Sequence, residues 1–255
     1  MFYFLLAPVI IYSRILIVAA VIPAAVLMIK VYNSDRLEKE SPQLLSSLVI
    51  AGVLSTLIAL VEERVLSVIL AACVEENTVL YNVILYFGIV AFSEESSKYI
   101  MMKRKTWTSR EFNCQYDGVV YAVFVSLGFA LWENISYVLN YGISTAIVRA
   151  LTAIPGHACF GVFMGVFYGL SRGYALIGKK KLSKAFRVFS IVIPALLHGA
   201  YDYIATLGNK GSSLIFTGFV IVLFGISFYM VNRMSKNDRY FNMNRVTDVE
   251  WEVVF

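Results

Sequence analysis

QYDGVVYAVFVSLGFALWENISYVLN, residues 115–140, decides the fold. A helix of that length measures about 39 Å, enough to cross a hydrocarbon slab roughly 30 Å thick. Its middle, from Gly118 to Trp132, carries no charge, and a single acid, Glu133, then follows inside the run. Six further apolar runs of comparable length lie at about 5–31, 43–61, 78–101, 146–171, 186–208 and 213–232. With 59% hydrophobic and 15% charged residues and a mean hydropathy of +0.72, the 255-residue chain cannot be an ordinary water-soluble domain. The reading is an all-α, polytopic membrane helix bundle of about seven transmembrane helices. Residues 1–232 form one transmembrane domain and 233–255 a polar cytoplasmic tail with an isolated apolar end, Trp251 to Phe255. The first run is too long for a signal-peptide core and holds Arg14, so it is read as a retained span.

Loop charge supplies an orientation. Lys30, Arg36 and Lys39 follow the first run, Lys103, Arg104, Lys105 and Arg110 the third, and Arg172, Lys179, Lys180, Lys181, Lys184 and Arg187 the fifth. The alternate connections hold only Arg64 among Glu62, Glu63, Glu75 and Glu76, then no basic residue, then Lys210. The positive-inside rule therefore predicts an outside N-terminus and a cytoplasmic C-terminus, which needs an odd number of spans. The net charge of +5 reads as loops facing anionic lipid, and nucleic acid is set aside as a partner. Cys73, Cys114 and Cys159 show neither disulfide nor zinc-site spacing and read as packing residues.

Ionisable residues inside spans are costly, about 2.5–3.5 kcal/mol each for acids at the bilayer centre, and so are functional candidates. Asp117 and Arg149 are set aside as end-lying groups able to meet headgroups. The remaining set is Glu94, Glu95 and Lys98 on the third run, Glu133 on the fourth, His157 on the fifth, and His198 with Asp202 on the sixth. Helical rise puts Glu94 about 7 Å to the cytoplasmic side of its midpoint, Glu133 about 8 Å to the outer side, and both histidines within about 3 Å. Glu94 and Lys98, like His198 and Asp202, are four apart and share a helix face. Gly161, Gly165 and Gly169 make a small-residue packing stripe that His157 continues, which turns the histidine into the bundle. Each polar group alone could be an interhelical bond; together they predict one site assembled from four helices.

Two imidazoles and several acids point to hydrolysis by activated water. Either a glutamate takes the proton and imidazoles stabilise the oxyanion, or His157, His198 and a carboxylate such as Glu133 hold zinc while another acid serves as base. The residues leave both open. No HExxH, GxGD or GxSxG is present, and Cys159 lies two positions from His157, off its face.

Four ordered segments carry a resemblance: FSEESSK (92–98), DGVVYAVFVSLGFALWENISY (117–137), PGHACFGVFMGVFYG (155–169) and LLHGAYD (196–202). They resemble the signature segments of the PrsW family of intramembrane proteases, and the surroundings of Pro23, Asp35 and Pro42 resemble that family's first loop. The resemblance implies a multi-pass endopeptidase of the bacterial cytoplasmic membrane, related to the CAAX prenyl endopeptidases. Its implied partner is a single-span membrane protein, an anti-sigma factor given its first, site-1 cut. Carried across residue by residue, it implies Glu94 and Glu95 as catalytic acids, with Glu133, Asn134, His157 and His198 in the site and Asp202 where the CAAX relatives place an asparagine. The rival reading from the residues is a seven-helix receptor or transporter using the polar layer for a ligand or a proton relay. The seventh run has no lysine for a retinal Schiff base.

Overall fold

The computed structural model describes residues 2–208 and 210–241, so the apolar end Trp251 to Phe255 lies outside the described residues. The described chain is helical: α1 (Phe2–Ser34), α2 (Pro42–Cys73), α3 (Val79–Val83), a π-helical segment (Ile84–Val90), α4 (Ala91–Thr106), α5 (Asp117–Tyr141), α6 (Ile143–Leu151), α7 (Ala153–Leu176), α8 (Lys180–Thr206) and α9 (Lys210–Lys236). Among the described residues, six stretches are long and apolar enough to cross a membrane: Ile11–Ser34, Pro42–Cys73, Asp117–Tyr141, Ile143–Leu176, Lys180–Thr206 and Gly211–Lys236. The protein is a multi-pass membrane protein. The remaining expected run, 78–101, is the continuous rod from α3 through the π segment to α4, which packs against α2, α5 and α8. Its hydropathy is lowered by Glu94, Glu95 and Lys98, all of which are buried inside the bundle, away from lipid.

The helix from 117 to 141 is the one the opening stretch predicts, and it sits at the centre between α1, α2, α4 and α7. The apolar surface left exposed on α1, α2 and α9, such as Ile22, Leu57 and Ile221, suits lipid. Helices α5 and α7 approach backbone to backbone. A Cβ on Gly165 would lie within 2.4 Å of the Gly118 carbonyl oxygen and of Val119 Cα, so only glycine permits this crossing. The small-residue stripe on α7 therefore does pack, and it packs on α5.

Three boundaries differ from expectation. The second run does not end at 61: α2 continues to Cys73, because Val65, Leu66, Val68, Ile69 and Leu70 renew the apolar pattern beyond Glu62, Glu63 and Arg64. Those three charges are helical, and the connection to α3 keeps Glu75 and Glu76. The expected fifth run is two helices broken at Thr152. Pro155 lacks the N–H that would reach back to Leu151 and crowds that turn, so a new helix starts just before it. The sixth run begins earlier, at Lys180, and α8 passes through Pro194 without ending.

Candidate active site

Lys98 is the hub. It is fully buried, and its ammonium donates to Glu94 Oε2 at 3.0 Å and to Glu95 Oε1 at 2.8 Å. A third bond, 3.2 Å long, reaches His157 Nδ1 across from α7, and the charge lies 4.0 Å over the Phe129 ring. The one-turn spacing on α4 brings both acids to this lysine. The wider π-helical turn that ends at Val90 sets the register of the same rod. Gly199 on α8 allows the rod in, since a Cβ there would meet the Phe87 ring at 2.7 Å.

Hydrogen-bond roles follow from chemistry. An ammonium only donates, so Nδ1 of His157 accepts and the ring proton sits on Nε2. That Nε2 lies 2.9 Å from Glu133 Oε2 and donates to it. Glu94 and Glu133, about 15 Å apart along the bilayer normal by helical rise alone, are thus joined through Lys98 and His157 without touching. His198 stands on the other side: Nδ1 is 3.0 Å from Glu95 Oε1, and Nε2 is 3.4 Å from Asp202 Oδ2. Its ring stacks on Phe160 with centroids 4.7 Å apart, and the two imidazoles are 5.2 Å apart. All seven ionisable residues singled out from the sequence belong to one connected network.

The acids differ in access. A cavity of about 660 Å³ is lined by Glu94, Glu133, His157, His198 and Asp202, whereas Glu95 is wholly buried behind it. Two charged residues of this wall were not expected. Arg149, set aside as a headgroup contact, forms a 3.0 Å ion pair with Glu133 and donates from Nε to Asn134 Oδ1 at 2.9 Å. Asn134 in turn donates to the Ala20 carbonyl, tying α5 to α1. The break at Thr152 is what folds Arg149 back, and Pro155 was its signal. Glu63, read as a loop acid, also lines the cavity with Thr56 and Ala59. The spacing 56, 59, 63 is one helical face and could have placed it.

Glu94, Glu95, His157 and His198 each offer a ligand atom within 4.8 Å of the others, and Glu95 Oε2 is buried with no hydrogen-bond partner. These N and O donors are of the kind zinc takes, and a bound zinc would polarise a carbonyl and acidify a water. Glu133, expected as a ligand, lies outside this group and accepts from the far nitrogen of His157. With the Lys98 ammonium bonded to three of the four donors, their position is already filled by a cation, and a metal does not fit unless that side chain leaves.

Residues 40–231 match the model of a family described as PrsW family intramembrane metalloprotease. The chain is 37% identical over 151 residues to the Protease PrsW of Oceanobacillus iheyensis, covering 59% of this chain and 67% of that one. It is 30% identical over 223 residues to the Protease PrsW of Shouchella clausii, covering 87% and 97%. It is 28% identical over 237 residues to that of Clostridioides difficile, covering 90% and 93%. No solved structure matches. A buried net of acids, a lysine and two histidines opening on one intramembrane cavity, within a sequence matched over most of its length, leads to one conclusion: the chain belongs to the PrsW family of intramembrane proteases.

Proposed function

We propose that the protein hydrolyses a peptide bond in a single-span membrane protein, with water activated at Glu94. The observation that carries this is that Glu94, of the two adjacent acids, opens on the cavity while its bond to Lys98 fixes its orientation. The carboxylate takes a proton from a water as the water oxygen bonds to the scissile carbonyl carbon. The carbonyl electron pair moves onto its oxygen, where the Nε2 proton of His198 stabilises it. Glu95 at Nδ1 and Asp202 at Nε2 are both acceptors, which supports a proton on each nitrogen. Collapse breaks the C–N bond, and the proton held by Glu94 passes to the leaving amine. His157, paired at both nitrogens, holds Lys98 and Glu133 in place.

Family membership supports this reading over a receptor or transporter. The resemblance also motivates the finer proposal of an anti-sigma factor as substrate, cut first at site 1 in the bacterial membrane, and loop charge motivates the N-outside orientation. The test is cleavage of a single-span anti-sigma factor and of an unrelated single-span protein in liposomes. Glu94→Gln and His198→Ala are expected to lose on the order of a hundredfold or more while still folded. Equal turnover in all variants refutes the enzyme, and equal cutting of both substrates refutes the finer claim. The family description motivates a second reading with a metal, which requires the Lys98 side chain to leave the four-donor cluster. Activity lost on chelation and restored by zinc would select it.

A further inference from the structure

At the end of α5 remote from Glu133, a second group of acids converges from four stretches of chain. Asp35 follows α1, Glu40 precedes α2, Asp117 opens α5, and Asp238 follows α9. Asp117 and Glu133 are sixteen positions apart on one helix, about 24 Å, so this group is separate from the cavity. One oxygen each of Asp35, Glu40 and Asp117 lies within 4.8 Å of the others, and Asp238 and Cys114 form a second such trio with the same Asp117.

Their hydrogen bonding is incomplete. Asp117 Oδ2 accepts from the Asn113 and Cys114 amides at 2.9 and 2.6 Å, and Asp238 Oδ1 accepts from the Tyr116 amide at 3.0 Å. Asp35 and Glu40, by contrast, are 4% and 5% exposed. Both carboxylate oxygens of Asp35, Oε2 of Glu40 and Oδ2 of Asp238 are enclosed without a well-formed hydrogen bond, the Leu37 and Glu38 amides near Asp35 and the Tyr121 hydroxyl near Glu40 falling outside bonding geometry. Lys39, next to Glu40 in sequence, turns its ammonium to the carbonyl oxygens of Tyr32 and Asp35. Buried carboxylates left this way are costly and call for a counter-charge.

We propose that Asp35, Glu40 and Asp117, with Asp238 beside them, bind a hard divalent cation of the Mg²⁺ or Ca²⁺ class. The donors are carboxylate oxygens, and ligands in trans across Ca²⁺ stand about 4.6–5.2 Å apart, which matches the spread of the group. Cys114 beside them is a soft sulfur donor, which neither of these hard ions prefers. The alternative counter-charge is protons: burial, with Asp117 close by, pushes Glu40 up to about 9. A cation there clasps the loop before α2 and the segment after α9 to the start of α5. That segment is already held by the Phe241 amide on the Asn113 carbonyl at 2.7 Å and by Phe241 packed on Phe112.

The test uses the full-length protein in detergent after chelation, titrated separately with Ca²⁺ and Mg²⁺ while Tm and heat of binding are read. One ion or the other is expected to raise Tm saturably. Asp35→Asn and Glu40→Gln are each expected to weaken its Kd at least about tenfold. In chelator both variants are expected to melt at or above the wild type, since each removes a buried acid that must otherwise stay charged without a partner or take up a proton at a cost, which shows that they fold. The response is expected to persist in a Glu95→Gln/His198→Ala variant, which places the ion away from the cavity. No response to either ion up to about 10 mM, an order of magnitude above the weakest Ca²⁺ sites, overturns the proposal. So does an unchanged response in the Asp35 and Glu40 variants, or one abolished by the cavity variant.

Discussion

Replacing Lys98 by Met tests the hub of the active site most directly. The change keeps the length of the side chain but removes its ammonium, which lies 2.8 and 3.0 Å from two carboxylates in a place with no solvent exposure at the lysine. Methionine would leave Glu94 and Glu95 without the ammonium that joins them, His198 alone remaining beside them, and Nδ1 of His157 without its donor. Breaking a buried ion pair from one side costs about 3–5 kcal/mol, chiefly through the charge left behind. For a chain of this size that corresponds to a fall in Tm of roughly 6–20 °C. Adding Glu94→Gln and Glu95→Gln to the Lys98→Met variant removes the stranded charges and should restore most of the stability while the protein stays inactive. The assay is thermal unfolding in detergent beside cleavage in liposomes. A Lys98→Met protein melting within about 2 °C of the wild type, smaller than the lower bound, refutes the buried-pair account. A triple variant no more stable than the single one shows that lost packing, not charge, was responsible.

Other expectations follow from particular contacts. Gly165→Ala drives a methyl into the Gly118 carbonyl oxygen and should cost about 1–3 kcal/mol, whereas Gly218→Ala, with nothing within 4 Å, should be neutral in the same unfolding assay. Asn134→Ala cuts the link between Ala20 and Arg149 and should lower stability by about 1–3 kcal/mol, read as a lower Tm, with a smaller effect for Asn134→Asp if the acid re-pairs with Arg149. In chelator, stability should fall as pH rises from about 4.5 toward about 9, because the native state binds the Glu40 proton that the unfolded chain has already released. Asp117, Glu111 and Asp35 surround that group, and the slope should shrink in Glu40→Gln. Under the N-outside orientation, the exposed Cys73 should react with an impermeant maleimide added outside intact cells, while the buried Cys114 and Cys159 stay silent; labelling only after lysis reverses the orientation.

Much of the site is legible in the amino-acid sequence, because lipid makes exceptions conspicuous. In a run such as 115–140 an acid has no cheap place to sit, so Glu133 and its counterparts stand out one by one. Spacing then assigns faces: Lys98 does reach Glu94, and His157 does turn inward beside the glycines. Arg149 and Glu63 are misplaced by sequence for the converse reason. A charge near the end of an apolar run reads as a boundary, and neither the bend before Pro155 nor the apolar residues after Glu63 carry enough weight to correct that.

Sequence by itself determined that the chain lives in a membrane, that its helices carry a set of buried polar groups, and to which family its motifs belong. The first two follow from composition and local periodicity, which act residue by residue, and the third from the resemblance carried by four ordered segments. Tertiary structure decided which acid opens on the cavity, that Lys98 joins both acids to His157, and that Asp35, Glu40, Asp117 and Asp238 meet at the far end of α5. Those outcomes depend on helix crossings as close as that at Gly165 and on bends such as that at Thr152, which set distances between residues far apart in the chain and leave no periodic trace within it.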